Sequence, residues 1–258
     1  MTTMRLFGVG VGPGDPELVT LKAVRVLAEA GLVLVPVGAG QSEPGRAEAT
    51  VRAHIDAARI RRVPFALTDR GGVTPGRQAA WAAAAREVAA VFEAGTATVA
   101  FATIGDPNVY STFSYLAQTV RELVPGVTVQ TVPGVTAMQD LASRSGTVLT
   151  EGSESLVLLP MIGGPPLDAL REALSRHDTV VAYKLGAAAS GGRATDIPGL
   201  LAALREAGRL DGAIYGARLG LPGEDIRPAC ELRELAAVPY LSTLIVPGRR
   251  AGTGSKLR

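Results

Sequence analysis

Gly8-Val9-Gly10-Val11-Gly12-Pro13-Gly14-Asp15-Pro16 follows directly on an apolar run. Residues without side chains let a main chain approach a ligand closely, so a glycine-rich turn behind a strand suggests a nucleotide cradle. The register excludes the two commonest versions. The third glycine of a dinucleotide loop would fall on residue 13 or 15, which are proline and aspartate, and no phosphate-binding lysine follows. Residues 32–41, covering the next apolar run and its end, also hold no acid for a ribose. A tight strand-to-helix turn without a ligand stays open here.

Thr103-Ile104-Gly105-Asp106-Pro107-Asn108-Val109-Tyr110-Ser111-Thr112 follows another apolar run and opens a helical pattern. It stands where open parallel sheets bind ligands, beyond the carboxyl ends of the strands. Gly105 permits close main-chain approach, Asp106 offers a carboxylate, Pro107 stiffens the turn and Tyr110 adds a ring with a hydroxyl. An ordinary Gly-Asp-Pro turn with Asp106 as a helix cap is the plainer alternative. Val132-Pro133-Gly134-Val135-Thr136-Ala137-Met138 has the small residues of a domain junction. Val181-Ala182-Tyr183-Lys184-Leu185-Gly186 ends a later apolar strand. Lys184 is one of three lysines among 26 Lys and Arg; the plainer alternative is a lysine lying along the surface with its head in water.

The elements that must carry these loops alternate. Five β-branched runs, residues 6–9, 32–35, 60–65, 98–102 and 127–132, are separated by helical patterns, as in βαβ units around a parallel sheet. The first helix is expected to put Leu21, Val24, Leu27 and Ala28 on one face, with Thr20 capping its start and Gly31 a left-handed stop. Others are expected near 77–94 and 111–123. After residue 132 the strands shorten to 156–159, 179–183, 213–217 and 243–246, with helices near 167–175 and 197–207. The expected organisation is an N-terminal α/β domain over 1–132, a C-terminal α/β domain over 133–248 and a disordered tail over 249–258. Residues 38–45, 68–76 and 186–196 are loop-like.

Composition narrows the chemistry. The chain has 258 residues, 47% hydrophobic and 19% charged, with a net charge of +2. No apolar run reaches the roughly eighteen residues of a membrane-spanning helix. The start, MTTMRLFGVG, lacks the features of a secretory signal, so a cytoplasmic protein is expected. A single cysteine, Cys230, rules out an internal disulfide and is expected to be a packed small hydrophobe. With only His54 and His177 beside it, no metal site is expected. Balanced charge and 4% aromatic residues give no sign of a nucleic-acid partner.

Taken in order, GVGPGDP, TIGDPNVYSTFSYL, VPGVTAM and VVAYKLG resemble the tetrapyrrole (corrin/porphyrin) methylases over nearly the whole chain. The resemblance implies two α/β domains with a cofactor cleft between them, a homodimer, and S-adenosylmethionine bound in a folded conformation. It implies that Pro13 lines the cleft and that Ile104, Gly105, Asp106 and Val109 form the main cofactor loop. Thr136 and Ala137 match a junction contact. Tyr183 and Lys184 match a second-domain contact where relatives often carry methionine after the tyrosine, and Ala217, Arg218, Thr243 and Leu244 fall on later cofactor-side segments. Asp106 is expected to face the sulfonium or the substrate pyrrole nitrogens, with Tyr110 and Lys184 on the substrate side. Arg46, Arg70, Arg77 and Arg218 are candidates for the carboxylates of a small-molecule tetrapyrrole. YSTFSYL, AYKLG and PYLSTLIVP look like the branch that methylates C-20 of precorrin-2, giving precorrin-3A and S-adenosylhomocysteine. A cobalt-containing substrate, another ring position, or a noncatalytic module binding adenosine or a tetrapyrrole are the alternatives.

Overall fold

In the strand that opens the chain, Leu6 packs into one apolar cluster and Phe7 and Val9 into another. A strand buried on both faces needs a helical layer on each side, and that sets the architecture of the first unit, Met1–Thr136. The computed structural model describes residues 3–38, 43–65, 72–161, 167–186, 196–235, 238–252 and 254. In this unit β1 (Arg5–Gly10), β2 (Leu32–Gly38), β3 (Ile60–Phe65), β4 (Thr98–Thr103) and β5 (Thr128–Val132) form a wholly parallel sheet in the order β3-β2-β4-β1-β5. Helices α3 (Pro75–Glu93) and α4 (Phe113–Leu123) cover the face holding Leu6, Leu34 and Phe101. Helices α1 (Leu21–Glu29) and α2 (Arg46–Val51) cover the other.

Helix α1 differs from expectation in two ways. Thr20 does cap it, accepting the Ala23 amide at 3.2 Å, but its buried face is Ala23, Val26 and Leu27. Leu21 is 90% exposed, because the helix turns the small Ala23 inward against the sheet. Gly31 is no left-handed stop. A Cβ there would lie 2.7 Å from Thr96 Cγ2, so the glycine serves close packing. Helix α2 was not anticipated.

The second unit, Ala137–Arg258, begins with α5 (Ala137–Ser145). Strands β6 (Leu156–Pro160), β7 (Thr179–Tyr183), β8 (Ile214–Ala217), β9 (Asp225–Pro228) and β10 (Ser242–Val246) form a mixed sheet in the order β6-β7-β10-β8-β9. Only β6 and β7 run parallel; β10 is antiparallel to both β7 and β8. Helices α6 (Leu167–Arg176) and α7 (Ile197–Glu206) bury Leu170, Leu200 and Leu204 against one face. Helix α5 packs on the other, where Leu141 fills the space a side chain at Gly216 would need. Arg249 and Arg250, assigned to the tail by the sequence, are fastened here: Arg249 donates to Gly208 O at 2.7 Å and Arg250 to Val148 O at 3.2 Å and to the Glu154 carboxylate. Cys230 is exposed rather than packed.

Candidate functional site

The order β4-β1-β5 places the loops leaving three neighbouring strands side by side at their carboxyl ends. Their main chains are in contact. Val11 donates to Thr103 O at 3.0 Å and Gly105 to Gly12 O at 2.8 Å, which zips the glycine-rich loop to the Gly-Asp-Pro loop. A Cβ on Gly10 would lie 2.5 Å from Gly105 O and 2.7 Å from Gly134 N, and one on Gly134 would overlap the same Gly105 carbonyl. Gly10 and Gly134 thus let their backbones meet the Gly105 carbonyl where a side chain on either would separate them. Gly105 is left-handed (φ 70°), and its open side has no heavy atom within 4 Å. That is a side-chain-free surface that a flat or folded ligand can approach.

Asp106 fastens this arrangement. One carboxylate oxygen accepts the Asn108 amide at 2.8 Å and the other accepts the Gly134 amide at 3.0 Å, bridging the loops after β4 and β5. The carboxylate expected to face a ligand is therefore engaged with the backbone on both oxygens. It forms an Asx turn rather than a helix cap, since α4 starts only at Phe113. Ser111 Oγ donates to Thr103 Oγ1 at 3.1 Å and accepts the Phe113 amide at 3.2 Å, fixing the turn into that helix. Ile104, Gly105 and Val109 are half-buried in the loop, while Pro13 and Thr136 are buried. Tyr110 has a left-handed backbone (φ 49°) and is 45% exposed. Burial of part of its ring raises the phenol pKa, so its hydroxyl remains a donor at neutral pH.

Residues that the sequence did not single out brace the first loop from α2 and the turn that follows it. Thr50 Oγ1 donates to Gly14 O at 3.3 Å, and the His54 ring nitrogen bonds Pro16 O at 3.0 Å. Glu48, buried on the same helix, pairs with Arg52 at 2.7 Å and with Arg62 of β3 at 2.7 Å. Burial opposes its ionisation, but hydrogen bonds and charge from Arg62 and Arg52 prevail and hold the carboxyl below its usual range. The Glu48–Arg52 spacing of four residues is a helix signal that could have revealed α2. Of the other arginines, Arg46 opens α2 and Arg77 donates to Gly72 O at 2.7 Å. Arg70 lies outside the described residues.

In the second unit, the Tyr183 hydroxyl accepts the Met138 amide at 2.9 Å, tying the end of β7 to the start of α5 just after Ala137. Lys184 follows with a left-handed backbone (φ 63°), its amide donating to Ser242 O at 2.8 Å and its ammonium 5.8 Å from the centre of the Tyr240 ring. Burial lowers the Lys184 pKa. Arg218, past the end of β8, is also left-handed (φ 51°) and donates to Leu241 O at 3.1 Å. Ala217 and Leu244 bury their side chains in the core of the unit, so only their main chains remain for a ligand. Thr243, also buried, is in register between Tyr183 and Gly216.

The family model of the tetrapyrrole (corrin/porphyrin) methylases matches residues 5–236. The chain belongs to this family. This tetrapyrrole methylase is 33% identical over 249 residues to the precorrin-2 C(20)-methyltransferase of a Sinorhizobium species, covering 95% of each chain. It is 30% identical over 244 residues to the cobalt-precorrin-2 C(20)-methyltransferase of Salmonella typhimurium, covering 94% of this chain and 95% of that one. It also matches the cobalamin biosynthesis protein CobIJ of Mycobacterium tuberculosis at 32% identity, covering 95% of this chain but 46% of that protein. The tetrapyrrole methylase thus spans about half the length of that relative. The crystal structure of uroporphyrin-III-C-methyltransferase from Thermus thermophilus shares its fold, with a TM-score of 0.61 and 25% identity over 95% of this chain and 93% of that one. Among the described residues, no group of three or more His, Cys, Asp or Glu could hold a metal, and no helix is long and apolar enough to cross a membrane.

Proposed function

We propose that this tetrapyrrole methylase transfers a methyl group from S-adenosylmethionine to C-20 of precorrin-2, giving precorrin-3A and S-adenosylhomocysteine in cobalamin biosynthesis. The observation that carries this reading is the end-to-end similarity to two C(20)-methyltransferases, one named for precorrin-2 and one for its cobalt form. The cradle of Gly10, Gly105 and Gly134 fits the cofactor, because it presents bare main chain at Gly105 with no side chain in the way. When bound, the cofactor supplies an already activated methyl group on a sulfonium, so the protein's main task is orientation and exclusion of water. The residues of the two loops after β1 and β4, Pro13, Ile104, Gly105 and Val109, hold the cofactor, with Asp106 keeping those loops rigid. Thr136 and Ala137 contribute from the junction, Tyr183 through its hold on α5, and Ala217, Thr243 and Leu244 by main chain. Tyr110 and Lys184 are on the substrate side, where a phenol and an ammonium suit pyrrole nitrogens and carboxylates. A homodimer, as the family resemblance implies, and a cytoplasmic location complete the reading.

The experiment is incubation with methyl-labelled S-adenosylmethionine and freshly generated precorrin-2, with and without cobalt, followed by mass and carbon NMR of the product. A single new methyl at C-20 supports the reading, and the preferred metal state names the substrate form. Transfer to another ring carbon, or cofactor binding with no transfer to either form, overturns it.

A further inference from the structure

Among the described residues, three that are not glycine adopt left-handed backbones, and two of them, Lys184 and Arg218, belong to the second unit. Such a backbone strains an L-residue, and glycine takes it without strain. Glycine fills the other left-handed positions among the described residues of the second unit, including Gly220 and Gly223 in the same turn as Arg218. Each of these two strained positions instead carries a long cationic side chain.

Their placement is paired. Lys184 leaves β7 and Arg218 leaves β8, and these strands flank β10 on either side. Their amides donate to adjoining carbonyls at the entry to β10, Lys184 to Ser242 O and Arg218 to Leu241 O. The two backbones are therefore held at one end of the sheet, about 10 Å apart by the spacing of two strand intervals. Gly186 keeps the approach close, since a side chain there would overlap the Val238 carbonyl. Glu224, in the turn that follows Arg218, is engaged elsewhere: both its oxygens accept from Arg144, at 2.8 and 2.9 Å, and one also accepts the Gly220 amide at 2.6 Å. Arg218 is exposed and makes no ion pair among the described residues.

We propose that Lys184 and Arg218 form a two-pronged carboxylate clamp that recognises a pair of acetate or propionate arms on the tetrapyrrole substrate. This rests on the tetrapyrrole reading above and adds a specificity-determining pair to it. Two fixed cations at one sheet end match a ligand carrying several carboxylates around a rigid ring, the Arg218 fork binding one arm bidentately and the Lys184 ammonium the other as a point charge. The centre of the Tyr240 ring lies 5.8 Å from that ammonium.

The test uses Lys184→Gly and Arg218→Gly, because glycine relieves the left-handed strain and each variant should unfold at the same temperature as the parent or close to it. Binding of uroporphyrin III, an octacarboxylate, is followed by fluorescence quenching at low salt, with its octamethyl ester as the uncharged control and calorimetry with S-adenosylmethionine alongside. The expected result is about a tenfold loss of uroporphyrin III affinity in each variant, no change for the ester, and recovery in Lys184→Arg; a loss confined to S-adenosylmethionine affinity overturns the clamp. Unchanged uroporphyrin III affinity in both variants, or equal losses for acid and ester, overturns the clamp. The unmodified protein and both variants are assayed in parallel for methyl transfer to precorrin-2. Transfer with unchanged KM in both variants removes the clamp and keeps the C-20 reading. No transfer, with the charge-dependent binding loss still present, removes the C-20 reading and keeps the clamp.

Discussion

The Gly134 amide donates to the Asp106 carboxylate at 3.0 Å, joining two loops that the sequence separates by an entire helix and strand. Because the other Asp106 oxygen takes the Asn108 amide, the carboxylate accepts two main-chain donors that a carboxamide cannot both satisfy. Asp106→Asn should therefore cost about 1–3 kcal/mol of stability and loosen cofactor binding, read by thermal unfolding and calorimetry with S-adenosylmethionine. An unchanged unfolding temperature with lost turnover would assign Asp106 to the reacting groups instead.

The three cradle glycines should respond differently to alanine. At Gly10 and Gly134 the new methyl meets backbone atoms that cannot rotate away, so Gly10→Ala and Gly134→Ala should lose about 3 kcal/mol or more. At Gly105 nothing lies within 4 Å, so Gly105→Ala carries only the left-handed strain of about 1 kcal/mol. It should fold and yet bind S-adenosylmethionine poorly, because its methyl occupies the open surface. Urea unfolding of all three, with cofactor titration of the last, checks this.

Tyr183→Phe removes the acceptor of the Met138 amide. The expected cost is about 1 kcal/mol, concentrated at the start of α5, so hydrogen exchange at Met138 should accelerate while amides in β7 keep their protection. Uniform acceleration across the second unit would contradict this local role.

Glu48 gives the fold an acid-sensitive brace. Its folded pKa lies below its ordinary value of 4.5, so its stabilising contribution is complete above that value and is lost as pH falls through the depressed one. Glu48→Gln should destabilise the protein by about 2 kcal/mol at neutral pH and flatten the fall of unfolding temperature below about pH 4.5. Since Thr50 on the same helix and His54 in the turn after it hold the glycine-rich loop, cofactor affinity should fall with it. Parallel acid limbs for parent and variant would exclude Glu48 as the titrating group.

Much of the first unit was legible because its strands are buried on both faces and therefore appear as continuous β-branched runs. β2, β3 and β4 stand within a residue or a few of their expected limits. α2 was missed because it has six residues, too few for a periodic apolar face to emerge. β9 was missed because Asp225–Pro228 is a short edge strand with polar residues. The inward face of α1 was misjudged because Ala23, the residue that meets the sheet, is small, while the exposed Leu21 is larger and more apolar.

The sequence by itself determined most of the strands and longer helices, that the glycine-rich loop lacks a dinucleotide register, and that its ordered motifs resemble one family. Periodicity, turn residues and motif spacing are local properties, carried by a few neighbouring side chains. Only the tertiary structure decided that Gly10, Gly105 and Gly134 meet, that the Asp106 carboxylate serves the backbone, and that Lys184 and Arg218 flank β10. These depend on strand order and direction, which are settled by how buried faces pack over the whole unit. No window of sequence contains that choice, because the partners it brings into contact come from loops far apart along the chain.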